Sequence, residues 1–180
     1  MNRNTLITVV PALLVVGACT TIVATPEALH PGANTSLAMV VPAKGVQIYE
    51  CRAKKTADGF EWAFVAPDAS LHDVRGRTLG HHGAGPYWQA ADGSRVTATV
   101  KARADAPTAG NIPWLLLVAT DNGPDGSFSG VTYIQRVNTV GGLAPADGCD
   151  ASATGRQARA PYTADYRFFV PSRSTQQAQR

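Results

Sequence analysis

Apolar positions along the chain fall in short runs, divided by turn signals about every ten to fifteen residues. Val46 to Cys51 sets Val46 and Ile48 against Gln47 and Glu50 and predicts a strand. Phe60 to Val65 follows an Asp58-Gly59 pair, a strong hairpin signal, and places Phe60, Trp62 and Phe64 on one face. Arg95 to Lys101 alternates Val96, Ala98 and Val100 against Arg95, Thr97 and Thr99, after an Asp92-Gly93 turn. Trp114 to Ala119 is continuously apolar, which predicts a central strand buried on both faces. Phe128 to Val137 is β-branched and aromatic and is entered through Gly123-Pro124-Asp125-Gly126; Tyr162 to Val170 closes the set. Only Asp68 to Val74 reads as a helical turn, and no longer run keeps helical spacing. Strands without intervening helices predict an all-β fold, an antiparallel β-sandwich or barrel-like single domain with little helix.

The ends carry different signals. Arg3 precedes an uncharged run from Leu6 to Val16, then small residues, which is the layout of a secretory signal and too short to span a bilayer. Val16-Gly17-Ala18-Cys19 resembles a bacterial lipobox, with cleavage before Cys19 and lipidation of that cysteine. Thr20 follows where an Asp would favour inner-membrane retention, so the resemblance implies an outer-membrane or cell-envelope lipoprotein. An ordinary signal peptide, leaving a secreted or periplasmic protein, is the alternative. The expected organisation is a signal over 1–18, a tether over 19–43, a β domain over 44–170 and a flexible tail over 171–180.

Charge and cysteine content sharpen this picture. Sixteen Lys and Arg stand against 13 Asp and Glu, a net charge of +3, too small and scattered for a nucleic-acid binder. Of 3 cysteines, Cys19 would carry the lipid, leaving Cys51 and Cys149 to pair in an oxidising compartment. The other reading of that pair is two buried free thiols.

The middle of the chain is distinctive: Gly80-His81-His82-Gly83-Ala84-Gly85-Pro86-Tyr87-Trp88, then Asp92-Gly93-Ser94, then Ile112-Pro113-Trp114-Leu115-Leu116. Later come Ile134-Gln135-Arg136-Val137-Asn138-Thr139-Val140-Gly141-Gly142, Pro145, Cys149 and Pro161-Tyr162-Thr163-Ala164-Asp165-Tyr166. Together, from about Val46 to Val170, these resemble the bacterial and fungal family known as domain of unknown function 3455. The family pattern Gly-x-His-x-x-Gly-Pro-x-Trp puts its histidine at His82 and its variable position at His81. The resemblance implies a mostly β, exported protein and brings no activity, substrate or catalytic residue. Some fungal relatives carry a malate dehydrogenase label. Against it, Gly83-Ala84-Gly85-Pro86-Tyr87-Trp88 has a proline where a dinucleotide loop needs an amide, and opens no predicted helix.

Four constellations could carry chemistry. His72, Asp73, His81 and His82 lie close enough in sequence for zinc or copper, provided His81 and His82 sit in a loop. Otherwise His82 pins a glycine-rich loop by a backbone hydrogen bond. Asp92, Ser94 and His82 assemble a hydrolytic trio on paper, but Asp-Gly-Ser is also what a tight turn wants, and Gly-x-Ser-x-Gly is absent. Arg136 and Asp165 are charges on strands with apolar neighbours and are expected to pair. Among the aromatics, Trp62 and Trp114 read as core, while Tyr87 and Trp88, beside a Gly-Pro loop, are the candidates for an exposed stacking platform.

The resulting expectation is an envelope binding module, non-enzymatic, for a small molecule, glycan or protein, attached to the membrane through its lipid. Its binding residues are His82, Tyr87, Trp88, Gln135 and Arg136, with no cofactor and no nucleic acid. The alternative is a metal-dependent or hydrolytic enzyme centred on His82, with His72 and His81 as further ligands. A rim position for Tyr87 or Trp88 would favour the binder. Convergence of His82 with a carboxylate or second imidazole would favour the enzyme.

Overall fold

A computed structural model describes residues 23–172. Eight antiparallel strands close into a barrel rather than a sandwich, each bonded to the next in sequence and the last to the first. They are β1 (Thr35–Ala53), β2 (Phe60–His72), β3 (Thr78–Gly83), β4 (Tyr87–Ala90), β5 (Arg95–Ala104), β6 (Trp114–Asn122), β7 (Tyr133–Gly141) and β8 (Gln157–Pro171). The helical content among the described residues is two 3-10 turns, Glu27–Leu29 and Ala151–Ala153. Every strand is paired on both sides over part of its length, and eight strands give an interior wide enough for side chains or one small ligand.

Strand alternation decides what enters that interior. Val41 and Ala43 of β1, Leu71 of β2, Trp88 of β4, Val96 and Ala98 of β5, Leu115 and Leu117 of β6, Ile134 of β7 and Tyr162 to Phe168 of β8 form the main core. Phe128 and Val131 are buried in the same cluster, and the Phe128 ring packs 4.8 Å from that of Phe168.

One outer face is also covered. Leu29 is fully buried against Trp114, Leu116 and Val137, which explains why β6 is apolar at consecutive positions. The Gln135 amide donates to the Leu29 carbonyl at 2.5 Å, and Arg167 donates to the Thr25 hydroxyl at 3.1 Å. Leu29→Ala is therefore expected to cost about 2–5 kcal/mol, read as a lower urea midpoint at unchanged m-value. A loss below about 0.5 kcal/mol would show that this segment does not hold the wall together.

Several sequence expectations change. The domain starts before residue 44: β1 begins at Thr35 and pairs with β8 as far as Pro171, so residues 35–43 of the expected tether are barrel strand. Pro42 disguised it. At that position β1 pairs with β8 alone, its pairing with β2 starting at Ala43, so a missing N–H is tolerated. Asp68 to Val74 is no helical turn, because β2 runs on to His72 and the Asp73 carboxylate then collects the Arg75 and Arg77 amides at 2.9 and 2.8 Å. Residues 128–132 precede β7 as a turn that buries Phe128 and Val131 rather than as strand. The stretch Gly80 to Trp88 is not a loop but the hairpin β3–β4, with His82 opposite Trp88. The expected bridge is present: Cys51 and Cys149 are joined, with Cα atoms 5.3 Å apart. The signal segment 1–18 and Cys19 lie outside the described residues, as does the tail beyond Ser172.

Candidate functional site: the barrel cavity

One end of the barrel is filled by Phe128, Val131, Val96 and Phe168. Towards the other end a cavity of about 720 Å³ opens, walled by Trp88, Ile112, Leu115 and Leu117. Its mouth carries Phe64, Val65, Val100 and Leu143, which are 53%, 44%, 52% and 47% exposed. A β-bulge builds part of this rim: β2 has one extra residue, Val65, opposite the Ile48–Tyr49 step. The loop after β7, with Leu143 and Ala144 at the rim, is fastened to β1 by the Cys51–Cys149 bridge.

Within the apolar walls lies a small polar cluster. Arg136 of β7 stands between Leu115 of β6 and Tyr166 of β8, and donates from Nε and Nη2 to the Pro113 carbonyl at 3.2 and 2.9 Å. No carboxylate pairs with it among the described residues. The Tyr49 hydroxyl donates to the Gly142 carbonyl at 2.7 Å, and the Tyr162 and Tyr166 hydroxyls lie 3.3 Å apart. Burial pushes all three phenols above their ordinary range, while the Arg136 charge pulls the other way.

His82 is buried beside this cluster. Its Nδ1 lies 2.7 Å from the Tyr87 carbonyl, which only accepts, so Nδ1 carries the hydrogen and Nε2 keeps its lone pair. The ring stacks on Trp88 with centroids 4.3 Å apart and meets the Tyr166 ring edge-on at 4.9 Å. Burial drives its pKa down to about 3, against the opposing effect of the Tyr87 bond and with help from Arg136. At neutral pH it is an uncharged imidazole.

The structure brings together His82, Trp88 and Arg136 and separates the rest of the predicted set. Tyr87, next to the inward-facing Trp88 on β4, faces outward under the Arg95 guanidinium, 4.2 Å from its ring centre. Gln135 likewise faces outward, to Leu29. Trp88 is 1% exposed, so it is cavity wall and not a rim platform. Trp62 is half-buried, donating to the Asp147 carbonyl at 2.8 Å, and Phe64 is rim rather than core. Arg136 and Asp165 do not pair, because Arg136 points in and Asp165 out; Asp165 accepts from Asn138 at 2.8 Å. Asn138 sits at a bulge in β7 with φ 53°, a conformation asparagine tolerates.

The catalytic and metal constellations also come apart. The Ser94 hydroxyl donates to Asp92 at 2.6 Å and accepts the Phe128 amide at 3.2 Å. Asp92 also accepts from the Ser127 amide and hydroxyl, and these bonds, led by that of Ser94, hold its carboxyl far below the usual range. This cluster ties two turns together and does not include His82. Because β3 is a strand, His81 and His82 face opposite ways; His81 lies outside, 3.7 Å from Asp68. Among the described residues no three His, Cys, Asp or Glu gather as a metal site. Gln47, Tyr49, Tyr166, Arg103 and the mouth residues went unpredicted, since alternation marks faces but not which face encloses a space.

A family model matches residues 31–170, which takes in all the cavity-lining positions. The chain belongs to the family described as Protein of unknown function (DUF3455). No curated protein and no solved structure matches it. In this DUF3455 chain the distinctive runs serve the barrel. Gly83 to Pro86 makes the β3–β4 turn and opens no helix, as the case against a dinucleotide loop requires. Gly142 has φ +83°, and a Cβ there would press on Tyr162 at 2.9 Å, Ile112 at 3.0 Å and Gln47 at 3.2 Å. The glycine pair thus lets the chain leave β7 beside the polar cluster without filling it.

Proposed function

We propose that this protein is a non-enzymatic, exported and lipid-anchored envelope carrier that holds one small, largely apolar molecule inside its barrel. The observation that carries this reading is the cavity of about 720 Å³, inside the size range of small-molecule sites and lined mainly by apolar side chains. The exposed rim of Phe64, Val65, Val100 and Leu143 supports it, because a contiguous apolar surface around an opening suits entry of an apolar ligand. The Cys51–Cys149 bridge suits an oxidising compartment, and the lipobox-like Val16 to Cys19 supports an anchor. An enzyme centred on His82 would need a carboxylate or second imidazole beside it, and the cavity lining contains neither.

Titrating the domain with the neutral fluorophore N-phenyl-1-naphthylamine tests the carrier reading. Saturable, one-to-one enhancement is expected in the wild type and in Val40→Trp, whose side chain lies on the outer wall. Leu115→Trp, which fills the cavity, should abolish it while the far-ultraviolet circular dichroism is retained. Absence of binding in the wild type, or binding that survives a folded Leu115→Trp, would sink the proposal.

A further inference from the structure

We infer that the cavity selects a carboxylate-bearing amphiphile, its anionic head received by Arg136 and its apolar body by the walls. This rests on the carrier reading and names the ligand class. The lining residues include two cations, Arg136 and Arg103, and not one Asp or Glu. Neither arginine has a carboxylate partner among the described residues. Arg136 is partly withdrawn from water, and its neighbours, the Pro113 carbonyl and the Tyr166 hydroxyl, supply no negative charge. A cation so placed is poorly compensated, and a guanidinium fork matches a carboxylate with two parallel hydrogen bonds.

A second observation points the same way. The buried Gln47 amide lies beside Tyr162, and its Nε2 makes no hydrogen bond of good geometry. Trp88 Nε1 is buried without a partner as well. Both residues line the cavity, and both unmet groups are donors. An acceptor entering the cavity would meet both. His82 adds no charge at neutral pH, because burial keeps its ring neutral, and its Nδ1 hydrogen is spent on Tyr87. A neutral lipid would leave Arg136 uncompensated, and a cationic one would be repelled by it.

Displacement of N-phenyl-1-naphthylamine by three probes of equal chain length, each kept below its micelle concentration, tests this. Decanoate should bind at least about tenfold more tightly than decanol, and decyltrimethylammonium should bind most weakly. The decanoate-to-decanol ratio should collapse to about one in Arg136→Gln and persist in Val40→Trp. Lowering the pH of the wild type through the carboxyl range of decanoate should remove the preference while decanol binding holds, a result that does not depend on the variant folding. Equal affinity for decanoate and decanol in the wild type, or an undiminished ratio in a folded Arg136→Gln, overturns the head-group assignment while the carrier reading stands. Failure of the fluorophore itself to bind removes both.

Discussion

Replacing Cys51 and Cys149 together by alanine is expected to cost about 4–5 kcal/mol of stability. The bridge spans 98 residues of sequence, nearly the whole barrel, so cutting it restores much conformational freedom to the unfolded chain. Urea unfolding of the double variant should show a lower midpoint and a larger m-value, because the unlinked chain unfolds to a more open state. There is a local consequence too. Cutting the bridge removes the covalent tie between β1 and the segment bearing Leu143 and Ala144, and leaves that segment to non-covalent ties such as the Tyr49–Gly142 and Trp62–Asp147 bonds. Release of a bound fluorophore should therefore quicken as the mouth loosens. Cys51 is fully buried, which makes the double substitution a cleaner experiment than added reductant. A stability loss under about 1 kcal/mol would mean that the denatured chain is already compact around that link.

The second large effect is a pH dependence from His82. Its folded pKa, about 3, lies below the 6.5 expected of an unfolded imidazole. Between those values the unfolded chain takes up a proton that the folded barrel refuses, so acid favours unfolding. Stability is then full above pH 6.5, falls by about 2–3 kcal/mol by pH 4.5, and by about 4–5 kcal/mol near pH 3. Asp92, Asp73 and Asp150 have lowered pKa values and add their own loss only as pH falls below the ordinary aspartate value of 3.8. The window from pH 6.5 to 4.5 thus isolates the histidine from them. His82→Gln, which preserves a polar side chain at the site, should be less stable at neutral pH yet nearly flat across that window. A variant retaining the wild-type slope would place the titrating group elsewhere.

Why His82 behaves so differently from His81 is a lesson in what a sequence can say. The two are neighbours of identical type, and nothing in the local pattern separates them. A strand assignment would have done so, but the three glycines Gly80, Gly83 and Gly85 lower the strand signal and suggest a loop. In the barrel Gly80 and Gly83 serve close approach, since a side chain on Gly80 would collide with the β4 backbone around Gln89 and one on Gly83 with the Tyr87 ring, while Gly85 takes a positive φ in the turn. The same limitation affected β1, where Pro42 suggested a tether although the strand already paired with β8. Arg136 and Asp165 were each placed on the correct strand, and β7 and β8 do run side by side. Their expected ion pair failed because the relative register set them on opposite sides of the wall.

The alternation of short apolar runs, the scarcity of helical spacing and the spare cysteine pair were enough to predict an antiparallel β domain with a Cys51–Cys149 bridge, and the structure shows both. These are local properties, because a strand's two faces and its turns are written within a few residues. The choice of barrel over sandwich, the 720 Å³ space and the company kept by Arg136 were settled only by tertiary structure. Each depends on the pairing of β1 with β8, strands more than a hundred residues apart, and a cavity belongs to no strand by itself. Its lining comes from β1 to β8, one to three residues at a time, and that Arg136 lacks a carboxylate is visible only when all of those walls are in place.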